Sequence, residues 1–418
     1  MISFTHYGAR EDISGVTSWL QGLLHGLRGR NEPVSLHLHH FGDDPTEGNL
    51  YQAARIDGVI VSGTHLPATS RLGVIDTLRF LNREKPDVFL PQALPAPHFA
   101  AKLAGHQGLP WIFTLHSDDP EYWALAEGSA PARHEGVWVA VSERIALEAR
   151  ERFPHADVRI IPYGVEIPEQ MSEWNEDRFR VVYSGRMVED QKRISKVLDV
   201  FLAACGQSPL MDFVFLGDGA ERTKLEERVR REGMAGRIRF AGRLDAEGVR
   251  RELLEAQALL LMSDFEGLPI AVLEAMACGV VPVARNIRSG IPEVVYHGQT
   301  GILVEDDVVA AADALTTLAG DKSGWLRMSA ASRSLITRQF SHKVCLEKWQ
   351  ALIGEMSQRA TVQYPLPLPL FPQLPRFDKR LGMFDQRTPA WLRRIDRKLR
   401  KIRAKFHPGF ERPPGPQT

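Results

Sequence analysis

Short apolar runs alternate with stretches whose apolar residues recur at helical spacing over most of the chain, the signature of strands and amphipathic helices taking turns. Several of the runs, Ala258–Met262 among them, are continuous rather than alternating with polar residues, which marks strands covered on both faces of a parallel sheet. A first set of strands is predicted at residues 2–4, 34–39, 58–61, 88–90, 111–115, 137–141 and 158–161. A second set is predicted at 180–183, 213–216, 238–240, 258–262, 280–283 and 301–304, again with helices between. Each set specifies a doubly wound α/β domain. Pro162-Tyr163-Gly164-Val165-Glu166-Ile167-Pro168 and a polar stretch to Arg178 separate them as a linker.

This divides the chain into a first domain over 1–164, a linker over 165–178, a second domain over 179–340, a helix over 341–357 that returns toward the first domain, and a tail over 358–418. Ligands of such sheets bind beyond the carboxyl ends of the strands, so the residues just after each strand are the candidates for chemistry.

One candidate segment follows the apolar run Ala258-Leu259-Leu260-Leu261-Met262: Glu266-Gly267-Leu268-Pro269-Ile270-Ala271-Val272-Leu273-Glu274, closed by Gly279. Pro269 suits the first position of a helix, and the free N–H groups of that first turn suit a phosphate. Glu266 in the loop and Glu274 in the helix can then accept hydrogen bonds from hydroxyls of whatever the phosphate carries. The plain alternative is a helix-start charge and a solvated or capping Glu. After the first strand of the second domain, Ser184-Gly185-Arg186 and Gln191-Lys192-Arg193 place two cations where they can meet phosphate oxygens, or form a solvated basic turn.

The Glu266–Gly279 stretch, the Gly-Arg and Gln-Lys-Arg order, Leu216-Gly217-Asp218-Gly219, Phe240-Ala241-Gly242-Arg243-Leu244 and Ile161-Pro162-Tyr163-Gly164-Val165 together resemble the retaining glycosyltransferases of family 4. The resemblance covers roughly residues 1–357. It implies the α/β GT-B fold, two Rossmann-like domains facing a cleft, and transfer of a sugar from a nucleotide-diphosphate sugar to a lipid-linked or glycan acceptor. It implies that Arg186 and Lys192 meet the diphosphate, that Glu266 binds the donor sugar and Glu274 the nucleotide, and that His116, at a strand end, lies near the sugar. Gly15, Gly185, Gly267, Leu268, Pro269, Ile270 and Ala271 would border the diphosphate, with Arg243 and Leu244 at the base. Gly15 stands alone where many members carry two adjacent glycines. Alternatives on the same fold are a non-catalytic scaffold organising other transferases, a phosphorylase or an epimerase.

No Asp-x-Asp occurs in the chain, so leaving-group charge would be met by protein, with no metal and no cofactor required. His37, His39 and His40 on one strand read as surface or structural residues rather than metal ligands, since no carboxylate has a matching ligand spacing.

Lys+Arg and Asp+Glu balance at 52 each, which gives no reason to expect a polyanionic partner for the chain as a whole. Cys205, Cys278 and Cys345 have no pairing pattern and fit a reducing cytoplasm. No targeting or membrane-spanning stretch is evident, so a cytoplasmic chain is expected. The charge is uneven along the chain, as its end shows. After the proline-rich Tyr364-Pro365-Leu366-Pro367-Leu368-Pro369, an extended spacer, Trp391, Ile395, Leu399, Ile402 and Phe406 recur at helical spacing among Arg393, Arg394, Arg397, Lys398, Arg400 and Lys401. Such a helix suits an anionic membrane surface, which would place the protein on the inner face of the cell membrane. Docking on the body or on a partner is the competing reading, and nucleic acid a poorer one, since no nucleic-acid fold accompanies the patch.

Overall fold

A computed structural model of the chain describes residues 1–8, 14–40, 44, 46, 48–92, 94–129, 135–370 and 372. The first sheet contains β1 (Ile2–Gly8), β2 (Val34–His40), β3 (Ile60–Pro67), β4 (Val88–Leu90), β5 (Trp111–Leu115), β6 (Gly136–Ala140) and β7 (Val158–Ile160). The second contains β8 (Phe179–Ser184), β9 (Met211–Leu216), β10 (Ile238–Gly242), β11 (Ala258–Leu261), β12 (Val281–Arg285) and β13 (Ile302–Val304). Their spatial orders are β3-β2-β1-β4-β5-β6-β7 and β10-β9-β8-β11-β12-β13. All neighbouring pairs run parallel. Each sheet therefore reverses its strand order once, between β1 and β4 and between β8 and β11, and a crevice opens at each reversal.

The strands form where the apolar runs are, because both faces are covered by helices: every residue of β5 and β11 is buried. Two strands run further than their apolar residues suggest. β3 continues through Ser62, Gly63, Thr64 and His65 because it is an edge strand with an exposed face. β1 continues to Gly8 because its buried polar side chains are satisfied locally, Thr5 donating to the Pro91 carbonyl at 2.7 Å and His6 pairing with Thr17 at 3.0 Å.

Two chain segments cross between the domains side by side. Val165 N–H donates to Phe340 O at 2.9 Å and His342 N–H donates to Val165 O at 2.8 Å. The helix His342–Gln358 then lies on the first domain, with Trp349 against Trp19 of the helix Gly15–Gly29 at a ring separation of 5.6 Å. The proline-rich segment is not a free spacer over its whole length. Tyr364 donates its hydroxyl to Pro86 O at 2.7 Å, and the Asn82 amide holds both the N–H and the carbonyl of Leu366, which is buried. The tail positions Trp391, Arg393, Arg394, Arg397, Lys398, Arg400 and Lys401 lie outside the described residues. Among the described residues no helix is long and apolar enough to cross a membrane.

Candidate functional site

The two strands flanking the second domain's reversal, β8 and β11, are followed by the two loops that the sequence marks for chemistry. The loops are stitched together. Asp264 N–H donates to Gln191 O at 2.9 Å, and the Gln191 amide donates to Phe265 O at 3.2 Å. Arg186 donates to the Gln191 side-chain oxygen at 2.8 Å and is otherwise exposed. Lys192 forms an ion pair with Glu266, which is only 6% exposed. The turn after β8 is packed just as closely onto the turn after β9: a Cβ on Gly217 would fall 2.0 Å from Gly185 O, so only glycine fits at 217. Arg243 is exposed and Leu244 half-buried after β10, further along the same sheet edge.

The helix Ile270–Ala277 starts one residue later than the sequence suggests, so Pro269 is its N-cap rather than its first helical residue. Pro has no side-chain acceptor, and the helix begins without a side-chain cap. Leu268 is buried, Ile270 and Ala271 partly so. Glu274, a turn further on, is half-buried and forms no ion pair among the described residues; burial pushes its carboxyl up to about 7.

The first domain supplies the facing wall. A Cβ on Gly15 would lie 3.2 Å from the Ile270 side chain, so the first turn of the helix Gly15–Gly29 abuts the first turn of Ile270–Ala277 across the cleft. His116, just past β5, is buried, with Nδ1 at 2.9 Å from Tyr163 Oη and Nε2 at 3.0 Å from Gln92 Oε1. Burial pushes its ring well down, to about 3, so it is neutral. Its carbonyl faces Gly267 of the opposite domain. A second contact across the cleft comes from Glu293, whose carboxylate accepts the N–H groups of Glu143 and Arg144 at 2.8 Å each. These begin a helix whose N-cap is Ser142, as its sequence position suggests.

The structure thus brings Gly15, His116, Gly185, Arg186, Lys192, Glu266, Gly267 and Ile270 to one cleft. Gln92 and Glu293 were not picked out by sequence, and Tyr163 only as part of the linker motif. Gln92 follows β4 by two residues, and the strand-end rule applied to that short strand would have found it. The histidines of β2 are structural: His37 is hydrogen-bonded to Asp76 and Ser62 at 2.9 Å each, and His39 to Thr77.

Residues 13–168 match the model of Glycosyltransferase Family 4, and residues 178–321 match that of Glycosyl transferases group 1. The chain belongs to these glycosyltransferases. N-acetyl-alpha-D-glucosaminyl L-malate synthase of Bacillus anthracis is 29% identical over 63% of this chain and 72% of its own length. An exopolysaccharide phosphotransferase of Streptomyces coelicolor is 26% identical over 53% of this chain, which spans only 23% of that protein. Among solved structures, Anabaena HepE in complex with UDP and glucose superposes with a TM-score of 0.68 at 18% identity, over 84% of this chain and 99% of HepE. The fold of this glycosyltransferase is GT-B.

Proposed function

We propose that this glycosyltransferase moves a sugar from a nucleotide-diphosphate sugar to a glycan or lipid-linked acceptor, with retention of anomeric configuration and no essential metal ion. The observation that carries the reading is the meeting of two helix starts, at Gly15 and Ile270, in the cleft that also holds the part-buried Lys192–Glu266 pair. Helix N-termini favour anions, and a diphosphate bridging them would lie within reach of both Lys192 and Arg186. The UDP and glucose held by HepE, on the same fold, support a nucleotide-sugar donor.

In this mechanism Glu266 accepts hydrogen bonds from donor-sugar hydroxyls and Glu274 from the ribose. As the bond from the anomeric carbon to the diphosphate oxygen breaks, charge grows on the diphosphate. Lys192, Arg186 and the first turn of Ile270–Ala277 stabilise it, each preorganised donor contributing on the order of 3 kcal/mol. The acceptor hydroxyl oxygen bonds to the anomeric carbon on the face being vacated, and its proton passes to the departing diphosphate. Neutral His116 forms part of the cleft floor.

The basic tail adds a proposed attachment to the cytoplasmic membrane face, supported by its composition and by the docking of Leu366, which fixes its point of departure on the first domain. The decisive experiment incubates the protein with UDP-glucose, UDP-N-acetylglucosamine and GDP-mannose in EDTA and measures released nucleoside diphosphate. Turnover is expected with one of them. Turnover with none, or only on restoring Mg²⁺ or Mn²⁺, overturns the reading.

A further inference from the structure

The first domain has its own strand reversal, between β1 and β4, and one side chain there has unused hydrogen-bonding capacity. Gln92 follows β4 by two residues. In the sheet order β1-β4-β5 it stands between the loop carrying Gly15 and the strand end carrying His116, whose backbones face Ile270 and Gly267 of the donor domain. Its backbone is left-handed, with φ 49°, a conformation that a non-glycine residue adopts at a cost of about 1–3 kcal/mol and that concentrates at functional sites. The residue is 1% exposed.

Its hydrogen bonds have a direction. Gln92 Oε1, 3.0 Å from His116 Nε2, can only accept, so Nε2 carries the ring proton and Nδ1 accepts the Tyr163 hydroxyl proton at 2.9 Å. His116 is neutral, so this is its only ring proton. Burial also holds the Tyr163 hydroxyl in its protonated, donating form. The chain Tyr163–His116–Gln92 therefore consumes the carboxamide oxygen and turns the carboxamide nitrogen outward from it. That nitrogen is buried and has no hydrogen-bond partner among the described residues. A buried amide donor left without an acceptor is costly, and such a group calls for a partner.

Building on the proposed activity, we infer that Gln92 binds the transferred sugar, its carboxamide nitrogen donating to one sugar hydroxyl oxygen, with Tyr163 as the positioning residue that fixes the orientation through His116. A site built to pair with one hydroxyl discriminates against a sugar that lacks it far better than an apolar pocket does. Gln92 thereby sets sugar specificity from the acceptor domain, while the diphosphate is held by the donor domain.

The test is calorimetric and needs no turnover. Wild type, Gln92→Leu and Tyr163→Phe are titrated with UDP, GDP, UDP-glucose, UDP-N-acetylglucosamine and GDP-mannose, then with the monodeoxy analogues of whichever sugar nucleotide binds wild type. Nucleoside diphosphate affinity is expected to be unchanged in both variants, which also reports an intact fold. Affinity for the intact sugar nucleotide should fall about tenfold in Gln92→Leu and by a smaller factor in Tyr163→Phe. One deoxy position should cost wild type about tenfold and Gln92→Leu nothing. Equal sugar-nucleotide affinity in wild type and Gln92→Leu, or the same deoxy penalty in both, overturns the assignment. If wild type binds nucleoside diphosphates but none of the sugar nucleotides, the proposed donor reading falls and this inference falls with it.

Discussion

Gly267 approaches the carbonyl of His116 so closely that a Cβ at 267 would sit 2.2 Å from that oxygen. The two residues belong to opposite domains, so the absence of a side chain at 267 is a condition for the cleft to close as it does here. The same loop is held on its other side by Gly290, whose N–H donates to Gly267 O at 2.8 Å.

Gly267→Ala is expected to block that approach without straining its own loop, since φ at 267 is not left-handed. The donor domain keeps Lys192, Glu266 and the Ile270 helix start, so nucleoside diphosphate binding should change less than threefold. Turnover should fall on the order of 100-fold, the scale that a misplacement of about 1 Å costs in an oriented reaction. Small-angle scattering should show a more open particle. Unchanged kcat would mean that this closed contact is not part of the catalytic cycle.

Lys192 and Arg186 separate catalysis from stability. Both are expected to lower kcat when replaced by Ala, because both meet charge that develops as the diphosphate leaves. Only Lys192→Ala should also destabilise the fold, by about 2–3 kcal/mol, since it leaves the buried Glu266 carboxylate unpaired. Exposed Arg186 should cost less than about 0.5 kcal/mol. Glu274→Ala, by contrast, should chiefly weaken donor binding. Urea denaturation and steady-state kinetics on the three variants check this, and equal losses in KM alone for all of them would contradict the roles.

How far the sequence reached depended on whether the governing contacts were local. The strands were legible because burial on both faces writes itself as an apolar run, as in Trp111–Leu115. Arg186, Lys192 and Glu266 were legible because their loops follow β8 and β11 directly. Gln92 was missed because nothing but its place just after a three-residue strand distinguishes it. Glu293 was missed too: it caps a helix 150 positions away in sequence, and only the closed domain arrangement brings the two together. The docking of Leu366 onto Asn82 was hidden for the same reason, the proline-rich composition suggesting only an extended segment.

Glu274 should make the protein pH-sensitive. Its carboxyl is pushed from 4.5 in the free state up to about 7 by burial alone, so between those values the folded chain holds a proton that the unfolded chain has lost. The unfolded state binds fewer protons there, and stability falls as pH rises from about 4.5 to 7, by at most about 3 kcal/mol. Glu274→Gln removes this dependence, so the gap between variant and wild type should grow in favour of the variant up to pH 7 and then stay level. Donor affinity should show the opposite trend, strengthening from pH 6 to 8 in wild type as the carboxylate forms and accepts ribose hydroxyls. Titrations at pH 6 and 8, paired with denaturation at both, decide it; a flat stability difference would place Glu274 in a more polar site.

Truncation should separate the docked strap from the basic tail. A chain ending at residue 372 keeps Tyr364 on Pro86 and Leu366 on Asn82, so its melting temperature and donor turnover should match the full chain. A chain ending at 358 loses the burial of Leu366 and leaves Asn82 without its backbone partners, a loss of about 2–4 kcal/mol located in the first domain. The tail's proposed role predicts a different split. Removing 373–418 should release the protein from anionic vesicles, to which each nearby basic residue contributes about 1 kcal/mol, and raising the salt should release the full chain in the same way. Co-sedimentation with phosphatidylserine vesicles tests this. If the chain ending at 372 sediments as well as the full chain, the membrane contact lies elsewhere; if it melts lower, the tail is part of the folded body.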